Sequence, residues 1–339
     1  MKFLIAGAGA IGGYIGARMA RAGVDVILFA RGPHLRAMQE NGLRVLSADG
    51  DFEVRSQAND PDGDSHLRII GDLQEAGPVD VILLGVKAHG LIHLAPHIQP
   101  LIGENTTVVS TQNGVPWWYF ESDSGPFANL RLESVDPGGV IAGSIDARRV
   151  VGSLVYFATD VLEPGVIRHT EGNRISLGEP DGTRSDRCRK IAELFIKSGI
   201  RCPVTARIRH EIWVKILGNV AFNPISALTR ATLVQMVRDP EVSVLVRHIM
   251  VEVEAVAAKL GLELPISIDQ RMAGAGKIGE HKTSMLQDLE AGRPMELEAI
   301  VGAVVELADK LGVPVPHTRS VYACTKLLQR TAKLGTAAA

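Results

Sequence analysis

The chain is poor in cysteine, in aromatic side chains and in net charge, and each shortage removes a class of function. Only Cys188, Cys202 and Cys324 occur in 339 residues. They are odd in number, scattered and without metal-ligand spacing, which argues against a disulfide framework or a structural zinc site and for a reducing compartment. Aromatic residues make up 4%, too few for a base-stacking surface. Lys plus Arg total 36 against 38 for Asp plus Glu, a formal net charge of −2, so there is no electrostatic footprint for nucleic acid or an anionic membrane. No apolar run approaches the roughly 20 residues that cross a bilayer. The N-terminal Met1-Lys2-Phe3-Leu4-Ile5-Ala6 meets a glycine loop before a signal-peptide core could form. The expectation is a cytoplasmic protein whose partner is a small molecule, with neither nucleic acid nor membrane involved.

What is plentiful is apolar residues, at 46%, and glycine, at 35 residues. The first supplies core for two domains of ordinary size; the second points to tight turns and close backbone approaches. In the first half, short apolar runs at 3–6, 24–30, 79–86 and 107–110 alternate with helix-like stretches such as 11–22, closed by Gly23. Residues 43–55, with Asp49-Gly50 at their centre, read as a hairpin, and 59–65 as a polar loop. Further strands are expected at 150–157, 166–169 and 174–177, with Glu163-Pro164-Gly165 as a turn. From Arg207 the pattern is helical, punctuated at Pro224, Pro240, Pro265, Pro294 and Pro314. This predicts an α/β domain with a parallel sheet covered on both faces over 1–205 and an all-α domain over 206–335.

Gly7-Ala8-Gly9-Ala10-Ile11-Gly12 sits between a strand and a helix, the context a dinucleotide-binding turn requires. The first glycine makes the turn, the second admits the pyrophosphate, and the third lets helix and strand pack closely, with the helix N-terminus facing the phosphates. An NAD site would place an acid at the end of the second strand. Here Leu28-Phe29-Ala30-Arg31 carries none, and Asp25 lies at the strand's beginning. Arg31 can pair with a ribose 2′-phosphate and Lys87, after the strand ending at Val86, can add a second charge, so the cofactor expected is NADP(H).

In the segment 209–224, Lys215, Asn219 and Asn223 recur at i, i+4 and i+8 and share a helix sector with Ile208, Ile212, Ile216 and Val220. An ammonium and two carboxamides on a buried face are costly unless they serve a site. The structural reading pairs Lys215 with Glu211 and lets Asn223, before Pro224, end or bend the helix. Ser284-Met-Leu-Gln287 has capping-box spacing and would open a helix whose N-terminus suits a carboxylate. Glu296, after Pro294, fits a first helical turn. Asn113-Gly114 follows the carboxyl end of a parallel strand, where ligands bind such sheets. His89, His93 and His97 lie opposite Leu91 and Leu94 with no carboxylate beside them, so a solvated face is expected and no metal. Trp117-Trp118 reads as packing in an irregular loop.

Taken in order, Gly7-Ala-Gly-Ala-Ile-Gly12, Lys87-Ala88, Asn113-Gly114, Ile212-Trp-Val-Lys215 with Asn219 and Asn223-Pro224, Thr283-Ser-Met-Leu-Gln-Asp288 and Glu296 resemble the ketopantoate reductase family over nearly the whole chain. The resemblance implies a Rossmann-type domain and a helical domain like that of 6-phosphogluconate dehydrogenase, with the active site in the cleft between them. It implies NADPH-dependent reduction of a 2-oxo acid, 2-dehydropantoate, to a 2-hydroxy acid for pantothenate and coenzyme A synthesis. Lys215 would then be the general acid, Glu296 and Ser284 would hold substrate, Asn113 would lie near nicotinamide and substrate, and Asn219 and Asn223 would line the same site. Gly7, Gly9, Ala10, Ile11, Gly12, Arg31 and Lys87 would bind cofactor. His281 stands where some family members carry asparagine, Val301 replaces an asparagine often seen in the last catalytic helix, and the loop at 115–140 is longer than in compact members. Another branched 2-oxo or hydroxy acid as substrate, a non-catalytic NADPH sensor and a flavoprotein stay open at this level. The helical half has apolar surface enough for a homodimer, without a heptad seam.

Overall fold

The computed structural model describes residues 1–60, 65–121 and 125–336. Most of the polar loop expected at 59–65, and the terminal Ala337, Ala338 and Ala339, lie outside the described residues. The chain forms two compact units: Met1–Gln112 with Trp118–Asn129 and Gly139–Ile208, and Asn113–Trp117 with Leu130–Gly138 and Arg209–Ala339. The boundary is therefore not one cut near residue 205, because two short segments of the irregular stretch after 112 belong to the second unit.

In the first unit, β1 (Phe3–Ala6), α1 (Ala10–Arg21), β2 (Val26–Phe29) and α2 (Gly32–Asn41) are followed by the hairpin β3 (Leu43–Ser47) and β4 (Phe52–Val54). Then come β5 (Leu67–Ile70), β6 (Val81–Leu84), α3 (Ala88–Ile98), β7 (Thr107–Ser110), α4 (Val140–Ser144), the long pair β8 (Val150–Glu163) and β9 (Val166–Gly178), and α5 (Asp186–Lys197). The strand order is β4-β3-β9-β8-β7-β6-β1-β2-β5. From β8 to β5 neighbouring strands are parallel, and β8 with β9 is antiparallel. β1 pairs with β2 on one side, Ala6 beside Phe29, and with β6 on the other, Ala6 beside Leu84. That reversal of strand order is a topological switch point, where open α/β sheets bind ligands beyond their carboxyl ends. β1, β2 and β6 are buried at every residue, as a sheet covered on both faces demands.

One expectation for this unit needs correction, and one strand was not expected. Residues 166–169 and 174–177 are parts of one strand, β9, whose break in pattern is a set of register shifts against β8, with Gly172 at φ +78°. β5 escaped the sequence reading: four residues, one of them Arg68, between polar stretches show no period, and only pairing with β2 defines them.

The second unit is helical: α6 (Ile208–Thr229), α7 (Leu233–Arg238), α8 (Pro240–Lys259), α9 (Ile268–Ile278), α10 (Ser284–Glu290), a π-helical turn at Glu298–Gly302, α11 (Ala303–Leu311) and α12 (Pro316–Thr336). Among the described residues its longest helix is α6, with 22 residues. Ile212, Trp213, Ile216, Leu217, Val220, Ala221 and Phe222 are all buried, so the helix is apolar nearly all round, the signature of a core helix. The helix does not end at Asn223-Pro224, one of the outcomes the proline allowed. Pro224 lies inside α6, which continues to Thr229, because surrounding burial outweighs the one backbone hydrogen bond a proline removes. Among the described residues no helix is long and apolar enough to cross a membrane.

Candidate active site

The glycine loop of the first unit is built by close contacts that leave no room for a Cβ at its first and third glycines and open space at its second. Gly7 has φ +112°, and a Cβ there would lie 2.6 Å from Val86 Cγ1. A Cβ on Gly12 would lie 2.2 Å from the Gly7 carbonyl oxygen, so the third glycine is what lets α1 start against β1. At Gly9 the Cβ direction meets nothing within 4 Å. Gly9 is also the N-cap of α1, with no capping side chain and no acid in the first turn. Open space above uncapped N–H groups at the switch point fits a pyrophosphate. Ala10 and Ile11 form the first turn of α1, and the Gly13 N–H already closes back on the Gly9 carbonyl at 2.7 Å.

Two residues absent from the sequence reading hold this loop. A Cβ on Gly85, after β6, would stand 2.3 Å from the Gly7 carbonyl oxygen; its signal was a glycine ending the neighbouring strand. His34 on α2 contacts the Ala8 carbonyl through Nε2 at 2.9 Å and receives the Gly165 N–H on Nδ1 at 3.0 Å. Accepting at Nδ1 fixes the neutral ring with its proton on Nε2, and burial lowers its proton affinity below the usual histidine value. Nothing in a sequence marks such a histidine.

Arg31 and Lys87 follow the strands on either side of β1. Arg31 is the exposed N-cap of α2, its guanidinium 5.2 Å from the centre of the Phe29 ring. Lys87 is the N-cap residue of α3 and half-buried. No acid stands at this strand end; Asp25 is at the other end of β2, bonded to His66 at 2.8 Å. The residues present therefore fit a nucleotide carrying a 2′-phosphate.

In the second unit, α6 brings Lys215 and Asn219 to half-buried positions and Asn223 to 5% exposure. The Asn223 Nδ2 is buried and has no hydrogen-bond partner among the described residues, so an oxygen acceptor from a ligand would satisfy it. Burial pulls the Lys215 ammonium down to about 8, opposed by the Glu296 carboxylate. The acid acting on Lys215 is thus Glu296, in place of the Glu211 pairing weighed from spacing. Glu296 is 9% exposed, precedes the π-turn, and accepts a hydrogen bond from Asn113 Nδ2 at 3.1 Å. Lys215, Glu296 and Asn113, distant in sequence, form one electrostatic set.

Ser284 is placed differently from the expectation. The cap of α10 is Thr283, 5% exposed, whose Oγ1 accepts from the Leu286 N–H at 3.2 Å. Ser284 is the first helical residue, with an exposed side chain. Val301 is fully buried within the π-turn and serves packing. His89, His93 and His97 are exposed on α3, and among the described residues no group of three or more His, Cys, Asp or Glu is placed to hold a metal ion. Trp117 and Trp118 are buried. A cavity of about 680 Å³ lies at the amino ends of the parallel strands, lined in part by Gln99, Arg148, Glu179 and Arg187. None of its lining residues belongs to the nucleotide loop or the Lys215 set.

Comparison with known proteins identifies the family. Residues 3–118 match the family model described as "Ketopantoate reductase PanE/ApbA", and 207–329 match "Ketopantoate reductase PanE/ApbA C terminal". The chain is 48% identical to the 2-dehydropantoate 2-reductase of Mesorhizobium japonicum over 329 residues, covering 97% of this chain and 98% of that one. It is 28% identical to the 2-dehydropantoate 2-reductase of a Nostoc species, covering 98% and 97%. A solved structure from Ralstonia solanacearum MolK2 superposes with a TM-score of 0.90 at 38% identity, over 98% of both chains. A D-mandelate dehydrogenase with NADH and anilino(oxo)acetate shares the fold, with a TM-score of 0.82 at 22% identity over 98% of this chain and all of that one.

Proposed function

We propose that this chain, which belongs to the ketopantoate reductase family, is an NADPH-dependent 2-dehydropantoate 2-reductase, forming pantoate for pantothenate synthesis. The observation that carries the reading is the set Lys215, Glu296 and Asn113. A lysine held near neutrality by opposing burial and a carboxylate is a proton donor suited to a carbonyl, and a chain that only sensed nucleotide would need none of it.

Gly7, Gly9, Ala10, Ile11 and Gly12 would hold the pyrophosphate of NADPH and Arg31 and Lys87 its 2′-phosphate end, and Asn113 would serve its nicotinamide side. Bound NADPH supplies the hydride that reduces C2 of the 2-oxo acid. As charge develops on the carbonyl oxygen, the Lys215 ammonium stabilises it and donates the proton that completes the hydroxyl, and solvent later restores that proton. Asn113, Asn219 and Asn223 orient the substrate through their carboxamides, the buried Nδ2 of Asn223 gaining its acceptor from a substrate oxygen. Ser284, its hydroxyl free of the capping task taken by Thr283, binds the carboxylate. Glu296 holds the substrate hydroxyl and keeps Lys215 protonated at neutral pH.

The test is NADPH oxidation with 2-dehydropantoate, run beside a panel of branched 2-oxo acids. The expected result is a preference for 2-dehydropantoate and a loss of about a hundredfold or more in kcat for Lys215→Ala, with NADPH affinity unchanged. A clear preference for another 2-oxo acid would overturn the substrate assignment, and an active Lys215→Ala would remove Lys215 from the chemistry.

A further inference from the structure

We propose that Gly114 and Val115 are positioning residues for the reaction, and that they act through the π-helical turn at Glu298–Gly302 to fix the direction in which Glu296 projects. This rests on the functional reading above.

Three successive residues contact the turn that carries Glu296. Asn113 donates to Glu296 Oε2 at 3.1 Å, and Val115 donates its backbone N–H to the Ala299 carbonyl at 3.1 Å. Gly114, between them at φ +85°, lies so close that a Cβ would stand 2.0 Å from the same Ala299 oxygen. In a regular α-helix the Ala299 carbonyl would accept from the N–H of Ala303. Here the Ala303 N–H reaches one residue further back, to the Glu298 carbonyl, which is the π pattern. The Ala299 oxygen that the helix gives up is the one Val115 occupies. The loop contact and the extra residue in the turn are thus two halves of one arrangement.

That extra residue has a consequence for the acid–base set. Each residue of an α-helix turns about 100° around the axis, so restoring α geometry would rotate everything before the turn by about that angle relative to α11. Glu296 lies one residue before Leu297, at the turn's N-terminal side, with its own carbonyl accepting from the Ile300 N–H at 3.2 Å. A rotation of that size would carry its carboxylate away from Lys215 and Asn113. Glycine at 114 is required both for its positive φ and for the space at Ala299, so the choice of residue at 114 decides the direction of Glu296.

The experiment compares wild type, Gly114→Ala, Glu296→Gln and the double variant, reading kcat, NADPH affinity and the pH profile of kcat/KM for 2-dehydropantoate. Glu296 raises the proton affinity of Lys215, so moving the carboxylate away shifts the basic limb of the profile to lower pH. Gly114→Ala is expected to lose about tenfold or more in kcat and to shift that limb down as Glu296→Gln does. In the Glu296→Gln background it is expected to add less than a twofold further loss and no further shift. Should Gly114→Ala fail to fold, Val115→Pro, which removes the donated N–H, is scored on the same readouts. Losses that multiply in the double variant, or a basic limb left in place, would overturn the positioning role alone. A wild-type protein that reduces no 2-dehydropantoate would instead overturn the functional reading.

Discussion

Glu296 gives back to Lys215 part of the proton affinity that burial takes away, leaving the ammonium at about 8. In the proposed reaction the protonated lysine is the proton donor. In the free enzyme kcat/KM for 2-dehydropantoate is therefore expected to be level below about pH 7, to bend near pH 8 and to fall about tenfold per unit above it. Steady-state kinetics from pH 6 to 10 checks this, and a profile that stays level through pH 10 would contradict it. Oxidation of pantoate, which needs the neutral amine to take the proton, should rise over the same range.

Arg31, exposed at the N-cap of α2 beside the Phe29 ring, has its predicted role only toward the 2′-phosphate. Arg31→Ala should raise KM for NADPH by about ten- to a hundredfold, the size of a lost charge-assisted hydrogen bond, and leave KM for NADH within about twofold. Equal losses for both nucleotides would mean that Arg31 shapes the loop and does not select the cofactor.

Thr283 and Ser284 are adjacent hydroxyls with different work. Thr283→Ala removes the cap that holds the Leu286 N–H and should cost about 1 kcal/mol in denaturant titrations. Ser284→Ala should leave stability within about 0.5 kcal/mol while raising KM for 2-dehydropantoate about tenfold. A stable Thr283→Ala beside an unstable Ser284→Ala would reverse the assignment of the cap.

His34 ties the Ala8 carbonyl of the nucleotide loop to the Gly165 N–H of the β8–β9 turn. The ring resists protonation in the folded chain, whereas the unfolded chain takes the proton near pH 6.5. The unfolded state therefore binds more protons in the window just below 6.5, and stability is lost as pH falls through it. His34→Ala should weaken NADPH binding and abolish that part of the acid destabilisation. Urea melts of both proteins at pH 7.5 and 5.5 measure it, and an identical pH dependence would refute the role.

The amino-acid sequence determined those features whose physics is local. A strand, a glycine-patterned turn and a helix in immediate succession specify the nucleotide loop, because turn geometry and helix start are set within ten residues. The periodicity of 209–224 placed Lys215, Asn219 and Asn223 on one face of one helix, and a strand ending in Arg31 without an acid is the local pattern behind the expectation of NADP(H). Tertiary structure decided whatever depends on partners far along the chain. Pairing with β2 made a strand of residues 67–70, and burial carried α6 through Pro224. The protonation of Lys215 depends on a carboxylate 81 positions away, which no helical wheel relates to it. The direction of that carboxylate depends on a π-turn exchanging one of its own hydrogen bonds for an N–H at Val115. Local pattern fixes which groups are available; the balance of desolvation and charge that makes one of them an acid exists only once distant segments are packed together.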